Sequence, residues 1–308
     1  MHKKNSIIVG VIFLFLISFY LWPGGNGEPG KGEYMGQKKP GLTPEVFAPG
    51  IVSTNTGEFA IAFLPDGKEF YFTRHVVKDN GRGLNTIMVA KMIDGRWTGP
   101  ETAPFSGKYF DFEPYISPEG KRLYFGTTRP LAGDGPPGKL HQWVLEKTET
   151  GWSPPKPLNS PFKERFVMYP TQSKNKNIYF TGMRKGTTDC ELYLCRWKNG
   201  KYGEPESLNR ETVNMFPHAA HSFIAPDESY LIFDAKETPE STSDIYISFK
   251  KKDGSWTKAK KMDGKINTGG EEGCAGVSPD GKYLFFSRDG DIYWVDAKII
   301  EDYRECKK

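Results

Sequence analysis

A motif built around a Pro-Asp-Gly turn recurs five times along this chain. Each copy pairs the turn with an alternating apolar run, as in Leu64–Phe72 and Ser278–Phe286. The Asp of the turn, or the residue in its place, lies at positions 66, 119, 174, 227 and 280, which is a spacing of 53 to 55 residues. A constant spacing of this size is typical of a repeat architecture in which similar units pack side by side.

Each unit contains four segments with strand-forming character. An apolar run such as 59–63 precedes the turn and an alternating run such as 69–72 follows it, which predicts a hairpin. A third apolar segment such as 87–90 follows a variable loop, and a short fourth segment such as 100–103 follows an aromatic turn. We therefore predict a sheet of four antiparallel strands in each unit.

The fifth unit lacks a fourth strand because the chain ends soon after Ile300. Residues 43–49 resemble the fourth-strand segment 99–104 and precede the first unit by the same spacing. We predict an all-β fold, a five-bladed β-propeller over 43–302, whose last blade is closed by the N-terminal strand. Closure removes the exposed sheet edges that an open array would leave. A short tail, 303–308, would follow.

The last repeat, Ser278–Arg288 with Asp291–Lys298, resembles the TolB-like, WD-repeat-like propeller repeat of exported bacterial and archaeal proteins. The resemblance spans residues 43–300 and implies a propeller. It does not imply one activity, because this repeat is found in binding scaffolds and in peptidase-associated propellers.

The N-terminus differs from the repeats. A basic start at residues 2–4 precedes an uncharged apolar run, 7–22, which is short for a membrane span and typical of a signal-peptide core. We expect 1–22 to form a hydrophobic helix that is either a membrane anchor or a signal segment, and 23–42 to be a Gly/Pro-rich linker. The propeller would then lie outside the cytoplasm, in the periplasm or extracellular space.

Charge and cysteine content exclude some partners. The formal net charge of +4 is scattered, and no basic run is interleaved with aromatics, so we expect no nucleic-acid partner. Cys190 and Cys195 lie too far apart on one predicted strand for a disulfide, and Cys274 and Cys306 are predicted at opposite faces of the disc. We expect four free thiols and a monomer.

Candidate site residues converge where the innermost strands line the central channel. The ends of the second strands carry one cation per blade: Arg74, Arg129, Arg184, Lys236 and Arg288. The segments leading into the innermost strands carry Glu58, Asp111, Glu113, Tyr169, His218, His221, Glu271, Glu272 and Cys274. This ring could hold an anionic ligand or support acid–base chemistry. Alternatively, each cation pairs with a carboxylate of a neighbouring blade and has an architectural role.

The distance in sequence from the Asp position of the turn indicates which of these residues lie together. Glu113 and His221 lie six residues before the Asp position of their turns and Glu272 lies eight before, so we expect all three at one end of the channel beside Arg129, Lys236 and Arg288. His218 and His221 are three apart, which places them on opposite sides of a strand and predicts no metal site. Cys274 has no base assigned to it, and the sequence indicates no cofactor.

Two functions fit these features. The first is a binding or scaffolding module that holds a protein, peptide or glycan on its loop-rich face. The second is a hydrolase or lyase acting on an acidic glycan, with Arg side chains holding a carboxylate and Glu113, Tyr169 or a His as acid or base. The candidate catalytic residues are imperfectly matched in register from blade to blade, which favours the binding module.

Overall fold

The computed structural model describes residues 29–77, 81 and 83–304, so the predicted N-terminal helix and Cys306 lie outside the described residues. Within them, five antiparallel sheets of four or five strands form the blades. The prediction of an all-β, five-bladed propeller is confirmed. The described part of the chain holds no helix of the length and apolarity that a membrane span requires.

The strands of each blade follow in chain order from the axis outward. The innermost strands of blades 1 to 5 are Glu58–Phe63, Asp111–Ile116, Met168–Gln172, His218–Ile224 and Glu272–Val277. The second strands are Glu69–Val77, Arg122–Thr127, Ile178–Met183, Tyr230–Lys236 and Tyr283–Arg288. The third strands are Gly83–Ile93, His141–Thr148, Cys190–Cys195, Asp244–Phe249 and Asp291–Asp296.

The fourth strands are only two residues long. They are Glu101–Thr102, Lys156–Pro157, Glu206–Ser207, Lys260–Lys261 and, for blade 5, Glu45–Val46. Further two-residue strands lie beyond the third strands: Arg96–Trp97, Gly151–Trp152, Trp197–Lys198 and Lys201–Tyr202. Two 3-10 helices, Tyr34–Gly36 and Ala297–Tyr303, flank the blades in sequence.

The turn between the first two strands requires a left-handed residue. Glycine supplies it in three blades, with φ values of 67°, 69° and 73° at Gly67, Gly120 and Gly281. Lys176 and Glu228 adopt the same conformation in blades 3 and 4, with φ values of 64° and 62°. These two blades therefore keep the turn geometry without glycine.

Glu228 joins blade 4 to blade 3. Its buried carboxylate accepts hydrogen bonds from Ser173 Oγ at 2.8 Å and Asn177 Nδ2 at 2.7 Å in blade 3, and forms an ion pair with Lys250. Burial raises the pKa of Glu228, but the hydrogen bonds from Lys250, Ser173 and Asn177 outweigh it and hold the pKa below the ordinary 4.5. The ionised carboxylate is therefore an inter-blade contact.

The N-terminal strand closes the ring, as the repeat spacing predicts. Glu45 pairs with Trp294, and the Phe47 N–H donates a hydrogen bond of 2.7 Å to the Ile292 carbonyl oxygen. The fully buried Phe47 ring packs edge-on against Phe70 of blade 1 and against Trp294 of blade 5. One side chain therefore links the first and last blades.

Part of the predicted linker also packs on the propeller. Tyr34 and Met35 are buried, and the Tyr34 hydroxyl donates a hydrogen bond of 2.9 Å to Asp280 in the turn of blade 5. The backbone of Lys31 forms an isolated antiparallel β-bridge with Arg96 of blade 1. The segment from Lys31 to Tyr34 therefore adds a second contact across the closure.

Replacing Phe47 with alanine should lower the free energy of unfolding by about 3–5 kcal/mol, because it leaves a cavity where blades 1 and 5 meet. Urea denaturation of the purified protein measures this. Leu42→Ala, at a side chain that is 46% exposed, is the matched control and should change stability by less than about 0.5 kcal/mol. Equal effects of the two substitutions would contradict closure by this strand.

Replacing Glu228 with glutamine should remove a pH-dependent part of the stability. Because the folded-state pKa is depressed, the stabilisation is present above the ordinary, unfolded pKa of 4.5 and is lost as pH falls through the folded value. The melting temperatures of wild type and Glu228→Gln should therefore differ most near neutral pH and converge toward pH ~3. A difference that stays constant over this range would show that the carboxylate charge has no part in it.

Candidate functional site

Each innermost strand contains a β-bulge at the same repeat position. The bulged residues have left-handed φ values of 46° to 54° and are Ala60, Glu113, Tyr169, His221 and Cys274. A bulge redirects a side chain, and left-handed non-glycine residues, which cost about 1–3 kcal/mol each, cluster at functional sites. Their side chains meet at the propeller axis.

We call Glu113, Tyr169, His221 and Cys274, with Asp234 beside them, the axial cluster. His221 Nε2 lies 3.1 Å from Glu113 Oε1, and its Nδ1 lies 2.8 Å from Asp234 Oδ1. Ligand atoms of Glu113, His221 and Cys274 all lie within 4.8 Å of one another. The Tyr169 ring stands edge-on to the imidazole at 5.7 Å. The Glu113 and Asp234 side chains are each 4% exposed and His221 is 21% exposed, so the cluster is enclosed but not sealed.

The backbone of the bulges is anchored on the neighbouring blades. Three bulged N–H groups donate to a side chain on the second strand of the preceding blade: Glu113 to Thr73 (2.8 Å), His221 to Thr181 (2.9 Å) and Cys274 to Asp234 (3.1 Å). These acceptors occupy one repeat position, where aspartate replaces threonine in blade 4. Gly273 leaves room for this carboxylate, because a Cβ there would lie 3.0 Å from Asp234 Oδ1.

Electrostatics define the protonation of the cluster. Burial lowers the pKa of His221, but the charge and hydrogen bond of Asp234, with the charge of Glu113, outweigh it and raise the pKa well above 6.5. Burial raises the pKa of the Cys274 thiol, and His221 opposes this only in part. The imidazole is therefore a cation between two carboxylates, and the thiol is neutral.

This state disfavours Cys274 as a nucleophile. His221 is the neighbouring base that the sequence left unassigned, but its two ring nitrogens already face Glu113 and Asp234. A neutral thiol without a free base beside it is a weak nucleophile.

The predicted ring of cations is engaged by carboxylates, within the blades for the four arginines and between blades 4 and 5 for Lys236. Three arginines pair with the first residue of their own innermost strand: Arg74 with Glu58 (2.8 Å), Arg129 with Asp111 (3.3 Å) and Arg288 with Glu272 (3.2 Å). Arg184 pairs with Glu191 at 3.2 Å, and Lys236 lies 4.0 Å from Glu271. The same arginines donate to loop carbonyl oxygens, among them those of Ile51, Phe105, Phe216 and Ile266. The architectural alternative expected partners on neighbouring blades, whereas these arginines pair with carboxylates of their own blade.

The structure thus divides the predicted site residues into two groups. It brings Glu113, Tyr169 and His221 together at the axis. Glu272 instead accepts hydrogen bonds from Thr268, and His218 begins the innermost strand of blade 4 opposite Lys236, where burial lowers the pKa of its imidazole. These two residues lie at the ends of their strands, away from the bulges.

Sequence reasoning missed Asp234 and undervalued Cys274. Cys274 lies six residues before Asp280, the same spacing that singled out Glu113 and His221. Asp234 follows Phe233 at the position where blades 1 and 3 have Thr after Phe. Aligning the repeats by position would have revealed both residues.

A funnel opens to the axis on the face formed by the Pro-Asp turns. Its volume is about 260 Å³. The rim takes one residue from each blade: Pro65, Pro118, Lys174, Pro226 and Pro279. Tyr115, Phe223 and Val277 line its wall together with Tyr169, so the funnel reaches the axial cluster.

The chain is similar to several solved structures, and the likeness to one of them, an endo-arabinase, supports the fold. An endo-arabinase from Bacteroides thetaiotaomicron VPI-5482 is 14% identical over 84% of this chain and 97% of its own, with a TM-score of 0.52. A mannose phosphorylase from Leishmania mexicana is 10% identical over 79% and 85% of the two chains, with a TM-score of 0.49. A gluconolactonase from Xanthomonas campestris is 10% identical over 79% and 87%, with a TM-score of 0.44.

No protein-family model and no curated protein sequence matches the chain. The identities to solved structures are low, so the likeness to the endo-arabinase concerns the fold alone. It agrees with the propeller that the blade order shows.

Replacing Arg129 with alanine should lower the free energy of unfolding by about 3–5 kcal/mol, because it removes the cation from the buried Asp111, which keeps only the neutral hydrogen-bond donors Thr127 and Ser106. Arg129 is 8% exposed and its guanidinium also lies over the rings of Phe125 and Trp143, at 5.1 Å from each. Urea denaturation measures the effect.

The control for this substitution is Arg165→Ala. Arg165 pairs with Glu204 at 2.9 Å, but the two side chains are 37% and 83% exposed. The expected loss is below about 1 kcal/mol, as for other surface ion pairs. If Arg129→Ala costs no more than this control, the guanidinium is not a structural contact and a ligand-binding role for the cations regains support.

Proposed function

We propose that this propeller is a binding module for a peptide or protein segment, which inserts one apolar side chain into the axial funnel beside a carboxylate that pairs with Lys174. The observation that carries this proposal is the chemistry of the funnel wall. The wall is largely apolar, and three of its hydroxyl groups are already engaged within the propeller.

Three wall groups illustrate this. The Tyr115 hydroxyl donates to the Gln172 carbonyl oxygen at 2.8 Å, and Ser117 Oγ accepts from the Arg122 N–H at 3.1 Å. Ser278 Oγ donates to Asp280 at 2.7 Å. A sugar ring needs several protein hydrogen bonds, whereas an apolar side chain needs only contact area. The wall therefore favours an apolar side chain over a glycan.

Lys174 supplies the charge. The left-handed φ of Lys176 aligns it with the turn glycine, so Asn175, and not residue 174 as the repeat spacing predicts, takes the Asp position, and Lys174 stands where the other four blades have proline. Burial raises the pKa of Asp227, and the charge of Lys174 is among the interactions that outweigh it and lower this pKa. Lys174 has an exposed side chain, and no ion pair within 4.0 Å engages it among the described residues. It is also the single charged residue of the described chain that lines the funnel. A cation at the rim of an apolar funnel complements a segment in which an acidic residue neighbours an apolar one.

The geometry supports the acidic-glycan enzyme less well. The arginines that would hold a substrate carboxylate are paired with Glu58, Asp111 and Glu272 inside their blades. The two carboxylates at the axis, Glu113 and Asp234, are both bound to the same imidazole. Acid–base hydrolysis of a glycoside needs two carboxyl groups that face a substrate between them.

The same proposal includes family and location. Five turns at near-constant spacing support a TolB-like propeller. The apolar run 7–22 supports export of the propeller or its anchoring outside the cytoplasm. We expect the protein to be a monomer. The membrane would then be a second partner, through residues 1–22.

A displayed library of random peptides, selected on the immobilised protein, tests the proposal. We expect selected peptides to share an aromatic or aliphatic residue next to Asp or Glu. Gly276→Leu should weaken their binding by about 10-fold or more, since burial of one such side chain contributes about 1.5–3 kcal/mol. A Cβ at Gly276 would lie 3.5 Å from Phe223 and 3.9 Å from the Tyr169 hydroxyl, which is ordinary van der Waals contact, and the rest of the leucine side chain would occupy space in the funnel.

Matched controls locate the effect. Gly99→Leu, at a glycine with nothing within 4 Å of its Cβ position, should leave binding unchanged. Lys174→Glu should slow association and reduce its salt dependence, whereas Lys252→Glu at an exposed lysine should not. Selected peptides that bind Gly276→Leu as tightly as wild type would overturn the proposal. A glycan array whose binders are blocked by Gly276→Leu would assign the funnel to a sugar instead.

A further inference from the structure

Three side chains of the axial cluster are of the types that bind transition metals, and each comes from a different blade. We propose that Glu113, His221 and Cys274 form a Zn²⁺ site on the propeller axis. This proposal does not depend on what the funnel binds. Carboxylate oxygen, imidazole nitrogen and thiolate sulfur together suit Zn²⁺, whereas Ca²⁺ and Mg²⁺ prefer oxygen ligands alone.

The distances suit a tetrahedral ion. Two ligands at about 2.0–2.1 Å from zinc lie about 3.3–3.4 Å apart when the angle between them is tetrahedral. His221 Nε2 and Glu113 Oε1 are 3.1 Å apart, and all three ligand atoms lie within 4.8 Å of one another. An ion between them therefore requires little change in the positions of His221 and Glu113.

The outer partner of the histidine is also in place. Zinc-bound histidines almost always donate their second ring N–H to a carboxylate or carbonyl oxygen. His221 Nδ1 lies 2.8 Å from Asp234 Oδ1, which leaves Nε2 for the metal. Asp234 Oδ1 also accepts from the Cys274 N–H at 3.1 Å, so one carboxylate orients two of the three ligands.

An unpartnered group at the same point supports a ligand there. Glu113 is 3% exposed, and its Oε2 is buried without a hydrogen-bond partner. A buried carboxylate oxygen without a donor is costly. A bound cation would satisfy it and would offset the strain of the three left-handed backbones that aim these side chains at the axis.

The ligand count defines the kind of site. Three protein ligands leave the fourth tetrahedral position for water or for a ligand group, as in zinc sites that are open to chemistry. The 21% exposure of the His221 side chain gives solvent a route to this position.

Metal content and cobalt spectroscopy of the full-length protein, purified in detergent under reducing conditions, test the site. After exposure to Zn²⁺ and dialysis, we expect about one zinc per chain by mass spectrometry. Replacement by Co²⁺ should produce the visible bands of a tetrahedral site and a near-ultraviolet sulfur-to-cobalt band. A chelator should lower the melting temperature, since an ion that binds only the folded state stabilises it.

Variants assign the ligands. Cys274→Ser should abolish the sulfur band, and Asp234→Asn should weaken zinc binding about 10–100-fold. Cys190→Ser is the matched control, since Cys190 is also buried and free but lies outside the cluster, and it should keep both metal and band. If Cys274→Ser does not fold, a triple variant of Cys190, Cys195 and Cys306 to serine decides, because its sulfur band can come only from Cys274.

The proposal is overturned by a folded wild-type protein that retains no zinc after dialysis. It is equally overturned if the sulfur band survives in Cys274→Ser or is lost in the triple variant.

Discussion

The bulge in each innermost strand is the feature on which the centre of this propeller depends. It places one residue per blade in a left-handed conformation at the axis, from Ala60 in blade 1 to Cys274 in blade 5. In three blades the N–H of that residue donates to a side chain of the preceding blade, so the bulge also joins neighbouring blades. The strain of about 1–3 kcal/mol per bulge is held by packing on both sides. The same backbone irregularity builds the ring and supplies its central side chains.

Buried ion pairs lie at the ends of the innermost strands, on either side of which the blades pack. The arginines at the ends of the second strands pair with carboxylates that are nearly inaccessible to water, such as Glu58 and Asp111. Buried pairs of this kind fix a geometry more than they add stability, since desolvation offsets most of the attraction. They hold the ends of the innermost strands, and thereby the bulges, in position. At the axis itself, the charged residues Glu113, His221 and Asp234 come from blades 2 and 4. The equivalent bulged residues of blades 1 and 5 are the uncharged Ala60 and Cys274.

Much of this architecture could be predicted from the sequence, because each blade repeats the same turn motif at a nearly constant spacing. The spacing of the turns indicates the blade number, and the similarity of 43–49 to 99–104 indicates the closure. The axial cluster was only partly predictable. Strand alternation alone places Glu272 with Glu113 and His221, but a bulge adds a residue and reverses the facing of what precedes it. The bulge at Cys274 places this residue, and not Glu272, at the axis, and in the sequence only its repeat spacing of six residues before Asp280 indicates it.

Some residues differ from those at the equivalent repeat position in the other blades. Such differences are informative, because the residue found in the other blades is sufficient for folding at that position. Threonine suffices as the acceptor for a bulged N–H in two blades, and Asp234 does the same in blade 4 while also binding His221. Glycine suffices in the turn, and Glu228 keeps its conformation while binding blade 3. Proline suffices at the funnel rim, and Lys174 replaces it there while its N–H donates to the Pro226 carbonyl oxygen of the neighbouring blade. Glu228 is explained by stability, since its contacts are internal. Asp234 goes beyond the role of threonine by orienting the His221 imidazole, and Lys174 adds an exposed charge at the rim of the funnel, which the fold alone does not require.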